Sequence, residues 1–146
     1  MREKLGVSIQ NVYIHSPKRI YVKVDPAAIR QVALFMRDAG IRFATASGID
    51  TPGGFEILYH FDDDRAGKII TLQVLIADKE KPEIDSIADI LQAADWIERE
   101  MWEMLGITFR GHADMRRLLL PDDWPQDVYP LRTDFLLPEH EREKNI

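Results

Sequence analysis

The sequence predicts an α+β fold: a mainly antiparallel sheet of four to five strands with helices packed against it, then an extended C-terminal arm. Three observations predict it. Residues 7–77 contain several runs in which apolar side chains fall on every second position. Two other stretches place them three and four apart, the spacing of a helix buried on one side. After Pro121 both periods stop, and Pro121, Pro125, Pro130 and Pro138 punctuate a segment still rich in aromatic and aliphatic residues.

The first strand is expected over Val7–Ile14, a mixed apolar run that Ser16-Pro17-Lys18 breaks. Arg19–Val24 alternates Ile20, Val22 and Val24 with Arg19, Tyr21 and Lys23, as a half-buried strand does, and pairs with the first as a hairpin. Asp25 can cap a helix, and Pro26 fits its first position, where a missing N–H costs nothing. Ile29, Val32, Ala33, Phe35 and Met36 keep helical spacing, and Gly40 marks the stop, so a helix is predicted over Pro26–Ala39. Ile41–Ile49 reads as a strand, 51–54 as a turn, and Phe55–Phe61 as a strand with Phe55, Ile57, Tyr59 and Phe61 on one face. Asp62–Gly67 is a loop. Lys68–Ala77 is the most apolar strand and is placed centrally, and the three strands on short turns form an antiparallel meander. Beyond the charged connection Asp78–Pro82, Asp85 or Ser86 is expected to cap a second helical region reaching Leu105, where Gly106 ends it. A break near Gln92–Ala94 would divide that region into two shorter helices. Residues 1–120 are read as one domain and 121–146 as the arm.

Composition narrows the function. The chain has 146 residues, of which 45% are hydrophobic, enough for one core. A net charge of −6 offers no basic field for nucleic acid. Without cysteine the chain forms no disulfide framework and ligates no thiolate-held zinc or iron–sulfur cluster by itself, which suits a reducing cytoplasm. No apolar run reaches the roughly 20 residues of a membrane span, and Met1–Gly6 lacks the apolar core of a secretory signal. The chain is therefore expected to be soluble and to reach a membrane only through a partner.

The chemistry-bearing residues cluster late in the chain. On a helical wheel centred on Ile97 and Met101, Glu98 and Glu100 flank the buried stripe, and Arg99 points away. One reading is a solvated charged edge. The other is that the carboxylates pair with Arg116, Arg117 or Arg132 downstream, since an arginine fork suits a carboxylate in a partly dry interface. Standing about 200° apart on the helix, Glu98 and Glu100 cannot share a substrate atom as general acid and base. His112 follows Gly111 on a loop, far in sequence from His15, His60 and His140, and is read as a hydrogen-bonding group to the preceding helix rather than a zinc ligand. Over Pro130–Phe135, apolar and charged groups alternate, with Arg132 and Asp134 on one side. There is no glycine-rich phosphate loop and no catalytic serine or zinc motif. The apolar tail, with Trp124, Tyr129 and Phe135, calls for a groove on this domain or on a partner.

The spacing Glu98-Arg99-Glu100, Glu103, Met104-Leu105, His112, Arg116, Leu118-Leu119 resembles the signature of the thirty-kilodalton subunit of respiratory complex I, the C subunit of NADH-quinone oxidoreductase, with no position missed. Gly106–His112 and Pro130–Phe135 also look like that family. Two positions depart from it: Ala113 stands where proline is usual, and Thr133 where lysine is usual, which removes a cation from the tail. The chain is short for an NADH-linked bacterial member. Compact relatives occur in archaeal quinone or methanophenazine reductases and in energy-converting membrane-bound [NiFe] hydrogenases.

The resemblance implies a non-catalytic accessory subunit of the hydrophilic arm of a membrane-bound oxidoreductase, peripheral and on the cytoplasmic side. It would pack on the large hydrogenase-like, forty-nine-kilodalton-type subunit and beside an iron–sulfur subunit, and serve electron transfer coupled to ion translocation. No cofactor is expected on this chain, the iron–sulfur clusters or NiFe centre lying in the partners. The residues expected at the partner surface are Glu98, Arg99, Glu100, Glu103, His112, Arg116, Arg117, Trp124, Arg132, Asp134 and Phe135. Two other readings stay open: a free-standing small-molecule enzyme with a pocket near His112 and Glu98, and a scaffold whose tail docks on a second copy.

Overall fold

A computed structural model of the chain describes residues 9–136. Met1–Gly6, Val7 at the head of the expected first strand, and Leu137, Pro138, His140 and the Glu139–Lys144 run lie outside the described residues.

β1 (Ile9–Ser16) and β2 (Arg19–Val24) form the expected antiparallel hairpin, with Val12 opposite Val22 and Ile14 opposite Ile20. Asp25 accepts from the Ala27 N–H at 2.9 Å and starts a single 3-10 turn over Pro26–Ala28, which runs into α1 (Ile29–Asp38). At the far end Gly40, at φ 71°, lets its own N–H reach Arg37 O while Ile41 N–H reaches Met36 O. That pair of bonds satisfies carbonyls the last turn would otherwise leave open.

β3 (Arg42–Thr51), β4 (Gly54–Asp63) and β5 (Lys68–Ile76) form the antiparallel meander. The sheet order is β1-β2-β5-β4-β3, so β5 is central, and its parallel pairing with β2 is the one parallel contact of this sheet. Gly54 makes the tight turn possible, because a Cβ there would meet Ile76 O at 2.2 Å. One face of the sheet carries Phe55, Ile57, Tyr59, Phe61, Leu72 and Val74, all fully buried with Ile29, Val32, Ala33 and Met36 of α1. The other face leaves Ile49, Ile69 and Leu75 exposed.

The second half departs from expectation at its start. Asp85 does not cap a helix; it ends β6 (Glu83–Asp85), which pairs in parallel with β7 (Thr108–Arg110) as a separate ribbon. Residues 87–93 run in turns, and α2 spans Ala94–Leu105 with no side-chain cap. Ser86 caps only one turn, its Oγ accepting from Ala88 N–H at 3.2 Å, while its hydroxyl donates to Glu98 in α2 and Ile87 N–H donates to the same carboxylate at 2.8 Å. The donors of that corner thus serve a later residue, and the helix begins at the break near Ala94. Met101 and Leu105 pack over Gly48 of β3, where a Cβ would meet Leu105 Cδ1 at 2.6 Å.

Candidate functional site

α2 is amphipathic in an unusual sense: its buried set contains Glu98, Arg99 and Glu103 beside Ala94, Met101 and Leu105. Arg99 and Glu103 stand four residues apart, on one side of the helix. Both reach main chain rather than side chains. Arg99 donates from Nε to Arg116 O at 3.0 Å and from Nη2 to Arg117 O at 2.9 Å. Glu103 accepts from the N–H groups of Leu118, Leu119 and Leu120, the shortest being Leu119 at 2.8 Å. A cation takes carbonyls and an anion takes amides, so five consecutive residues of irregular backbone are fixed by two side chains. An isolated charge would cost several kcal/mol to bury, and these charge-assisted bonds offset that cost.

Further along, Gly106 ends α2 at φ 76° and leaves no room for a Cβ, which would meet the Tyr129 ring at 2.6 Å. Arg132 donates from Nε to Leu105 O at 2.7 Å and lies over the rings of Phe55, at 5.1 Å, and Tyr129, at 4.4 Å. A cation on the last carbonyls of a helix meets the negative end of its dipole. Next to it, Thr133 donates twice to Asp50 Oδ2, from N–H and hydroxyl, each at 2.9 Å. Lys79 forms an ion pair with the other oxygen of Asp50. Thr133 thus bonds the arm to the body, and Lys79 brings a cation to the same carboxylate. Residues 111–136 contain no helix or strand, and the alternation expected over Pro130–Phe135 gives way to turns, with Arg132 N–H on Tyr129 O and Phe135 N–H on Arg132 O.

Glu98 is wholly buried. Burial first, against the Ile87 and Ser86 donors, raises its carboxyl above the ordinary 4.5. His112 Nδ1 accepts from Asp114 N–H, which puts the ring proton on Nε2, 3.1 Å from Asp95 Oδ1 and 3.2 Å from Asp95 O in the first turn of α2. The histidine therefore ties the root of the arm to the helix, the role read from sequence. The Tyr59 hydroxyl, also fully buried, has no hydrogen-bond partner among the described residues, and burial, then Glu98, pushes it well above its ordinary value.

Two expectations are corrected. Arg99 does not point away from the buried stripe; the arm covers it, and it is 6% exposed. Nor do the α2 carboxylates pair with the later arginines: Arg116 meets Asp114, Arg117 Nη2 donates to Trp124 O at 2.8 Å, and Arg132 serves Leu105 O. The solvated-edge reading holds for Glu100, which is exposed, and fails for Glu98. Arg116 and Asp134 are exposed, while Trp124 and Phe135 are half-buried with ring centroids 6.2 Å apart. The site residues that sequence reasoning missed are Ser86, Asp50 and Lys79, each distant along the chain from the group it serves. For Arg99 and Glu103 the overlooked signal was two opposite charges one helical turn apart, ahead of a segment with no period of its own.

A cleft of about 320 Å³ lies between α2 and the arm, lined by Trp102, Arg117, Trp124, Val128 and Tyr129 among others. A second, of about 670 Å³, opens beside Asp95, Trp96 and Ala113, and neither Glu98 nor His112 lines it. Among the described residues no three histidine, aspartate or glutamate side chains converge as a metal site requires. No described helix is long and apolar enough to cross a membrane.

Comparison with known proteins bears out the resemblance. The family model described as respiratory-chain NADH dehydrogenase, 30 Kd subunit, matches residues 22–141. The C subunit of NADH-quinone oxidoreductase from Chloroherpeton thalassium is 38% identical over 144 residues, covering 95% of this chain and 59% of that protein. The combined C/D subunit of Bacteroides thetaiotaomicron is 37% identical over 124 residues, 76% of this chain but 23% of that longer protein. The membrane-bound hydrogenase beta subunit of Pyrococcus furiosus is 34% identical over 122 residues, 80% of this chain and 70% of that one. Among solved structures, a chain of an archaeal membrane-bound sulfane sulfur reductase superposes with a TM-score of 0.84 at 24% identity, covering 98% of this chain and 85% of that one. A trypsin-resistant Nqo5 fragment superposes at 0.62 and 20% identity, covering 71% of this chain and 88% of that one. These two likenesses show the fold.

Proposed function

The chain belongs to the family of the 30 kDa subunit of respiratory-chain NADH dehydrogenase, and from that premise we propose that it is a non-catalytic accessory subunit in the hydrophilic arm of a membrane-bound oxidoreductase. It packs on the large catalytic subunit and stabilises it for electron transfer coupled to ion translocation, in an assembly of the NADH–quinone or the energy-converting hydrogenase type. The redox groups, iron–sulfur clusters or a nickel–iron centre, lie in that subunit and in a neighbouring iron–sulfur subunit. The chain sits on the cytoplasmic side and is held at the membrane through those partners. Relatives that carry the C and D subunits on one polypeptide support direct contact with a second subunit of such an assembly.

One observation carries this reading. Arg99, Glu103 and Arg132 hold an irregular arm from the inside, while Trp96, Leu119, Leu131 and Leu136 stay 67%, 58%, 58% and 72% exposed. Large apolar groups fixed in an outward position are what an interface core needs. In this reading Glu98, Arg99 and Glu103 act from behind the surface, and Glu100, Arg116, Arg117, Trp124, Asp134 and Phe135 line it, with His112 at its corner.

The test is co-purification with a tagged chain. Replacing Leu119, Leu131 and Leu136 together by Asp is expected to reduce the yield of large subunit by about tenfold or more, with the circular dichroism of the chain unchanged. Arg132→Glu is expected to weaken assembly too, by releasing the arm from the end of α2. Unchanged yield in the triple variant, turnover of a small substrate by the isolated chain, or a tail-docked dimer in sedimentation would each overturn the reading.

A further inference from the structure

Residues 9–24 differ from the rest of the chain in charge. Between Ile9 and Val24 there is no aspartate or glutamate, whereas Lys18, Arg19 and Lys23 are all cationic, in a chain of net charge −6. Among the described residues none of these three enters a salt bridge. The hairpin is thus a positive corner on an acidic molecule.

Among the described residues β1 forms one edge of the sheet. Its sequence, IQNVYIHS, contains no lysine, arginine, acid or proline, the devices with which edge strands ordinarily repel a further strand. Val12, Tyr13 and Ile14 are 37%, 59% and 67% exposed. The Val12 N–H turns to the side-chain oxygen of its neighbour Asn11, at 2.9 Å. The opposite edge, β3, is different: Met101 and Leu105 lie over its Gly48, Thr133 of the arm is bonded to its Asp50, and Arg42 charges its start. Among the described residues the sheet is guarded on one side and open to extension on the other.

The register says what would fit. Asn11 and Tyr13 lie opposite Lys23 and Tyr21, on the face that also carries Arg19, while Val12 and Ile14 lie opposite Val22 and Ile20 on the other face. A strand laid along β1 therefore presents alternate side chains to a cationic face and to an apolar one. A second copy of the chain is a poor occupant, because pairing β1 with β1 sets two cationic hairpins side by side with no acid on either. We propose that β1 is a docking edge for an extended segment of a partner subunit in which acidic and apolar residues alternate, added as a sixth strand. Main-chain bonds supply the affinity in such strand addition, and the alternate side chains supply the choice of partner. The accessory-subunit reading enters only as the source of that strand.

The full chain, tagged and purified with the subunits it holds, is compared with the isolated chain by hydrogen exchange over Ile9–Ser16, with a photo-crosslinking residue at position 14. Exchange in β1 is expected to slow by about tenfold or more in the assembly. The crosslinked fragment is expected to come from another subunit and to alternate acidic with apolar residues. Arg19→Glu with Lys23→Glu, both on exposed positions, is expected to abolish both signals while the thermal midpoint of the isolated chain stays unchanged. Unaltered β1 exchange in an assembly that does retain a large subunit overturns the docking edge and leaves the accessory reading intact. Crosslinks to a second copy, to residues 1–8 of the same chain, or to a segment lacking acidic residues overturn it as well. If no subunit co-purifies, both readings fall.

Discussion

β4 and α2 are the most deeply set elements of the molecule, and different forces hold them. β4 turns Phe55, Ile57, Tyr59 and Phe61 into the core, each fully buried, and gains from removing apolar surface from water. α2 also buries Ala94, Met101 and Leu105, but between them it buries two carboxylates and a guanidinium. Those groups lose hydration on folding and find polar partners instead in Ser86, Ile87 and the backbone of 116–120. Apolar burial is shared among many neighbours and tolerates local change. A charge buried against main chain is all or nothing: remove it and several backbone groups lose their partner together. The sheet is therefore the stable body, and the arm is a surface whose shape depends on a few side chains.

The largest effect should come from the body. Phe61→Ala is expected to cost about 3–5 kcal/mol, as aromatic truncations in packed cores do. Because Phe61 packs on Phe43 and the β4–β5 pair, hydrogen-exchange protection should fall in the strands and in the arm alike. Glu103→Ala comes next, at about 2–3 kcal/mol, since three amides lose one charged acceptor but can turn to water. Its signature should be local: the amides of Leu118, Leu119 and Leu120 exchange fast while β4 and β5 stay protected. If Glu103→Ala loosens the sheet as much as the arm, the division into body and displayed surface is wrong.

The same contrast explains what was legible in advance. β2 and β4 follow from alternating apolar residues, because there the buried atoms and the periodic atoms are the same ones, while β1 was read from a mixed apolar run and the central place of β5 from its being the most apolar strand. Gly40 and Asp25 were legible for a similar reason, as backbone stops and caps act within a few residues. Arg99 was misplaced because a helical wheel counts apolar neighbours, and the groups that bury Arg99 are the carbonyls of Arg116 and Arg117, which carry no side-chain signal. The cap at Asp85 or Ser86 was half legible: Ser86 Oγ accepts from Ala88 N–H and starts a turn, but its own proton goes to Glu98, twelve residues on, and the α-helix begins only at Ala94. The motif around Glu98 was visible as a spacing, yet its purpose, clamping a main chain, belongs to the tertiary structure.

Acid and base should pull the two regions in opposite directions, with effects smaller than either truncation. Glu98 keeps its proton to higher pH in the folded chain, through burial, so its contribution to stability is full below its ordinary 4.5 and is lost as pH rises through the folded value. Glu98→Gln should accordingly gain on the parent as pH rises above that window. Asp50 runs the other way. Burial alone would raise it, but the Lys79 and Thr133 donors carry it below its ordinary 3.8. Its contribution is present above 3.8 and is lost as pH falls through the folded value, so Asp50→Asn should narrow the stability difference between neutral and acid. Thermal midpoints measured across the acid range separate the two, and parallel pH profiles for the two variants would contradict the assignment.

The smallest effect is the sharpest test of how the arm is moored. The hydroxyl and the amide of Thr133 both rest on Asp50. Thr133→Val keeps the shape and the amide bond and removes the hydroxyl bond, at a cost of about 1 kcal/mol. Thr133→Lys would set a second ammonium on a carboxylate that Lys79 already neutralises, so it should not stabilise the chain further. A parent left unchanged by Lys and slightly weakened by Val, read by urea unfolding, means that Lys79 already supplies the positive charge Asp50 needs. A clear gain from Thr133→Lys would mean that Asp50 is still short of positive charge, and that the mooring of the arm is electrostatic rather than a matter of two well-aimed hydrogen bonds.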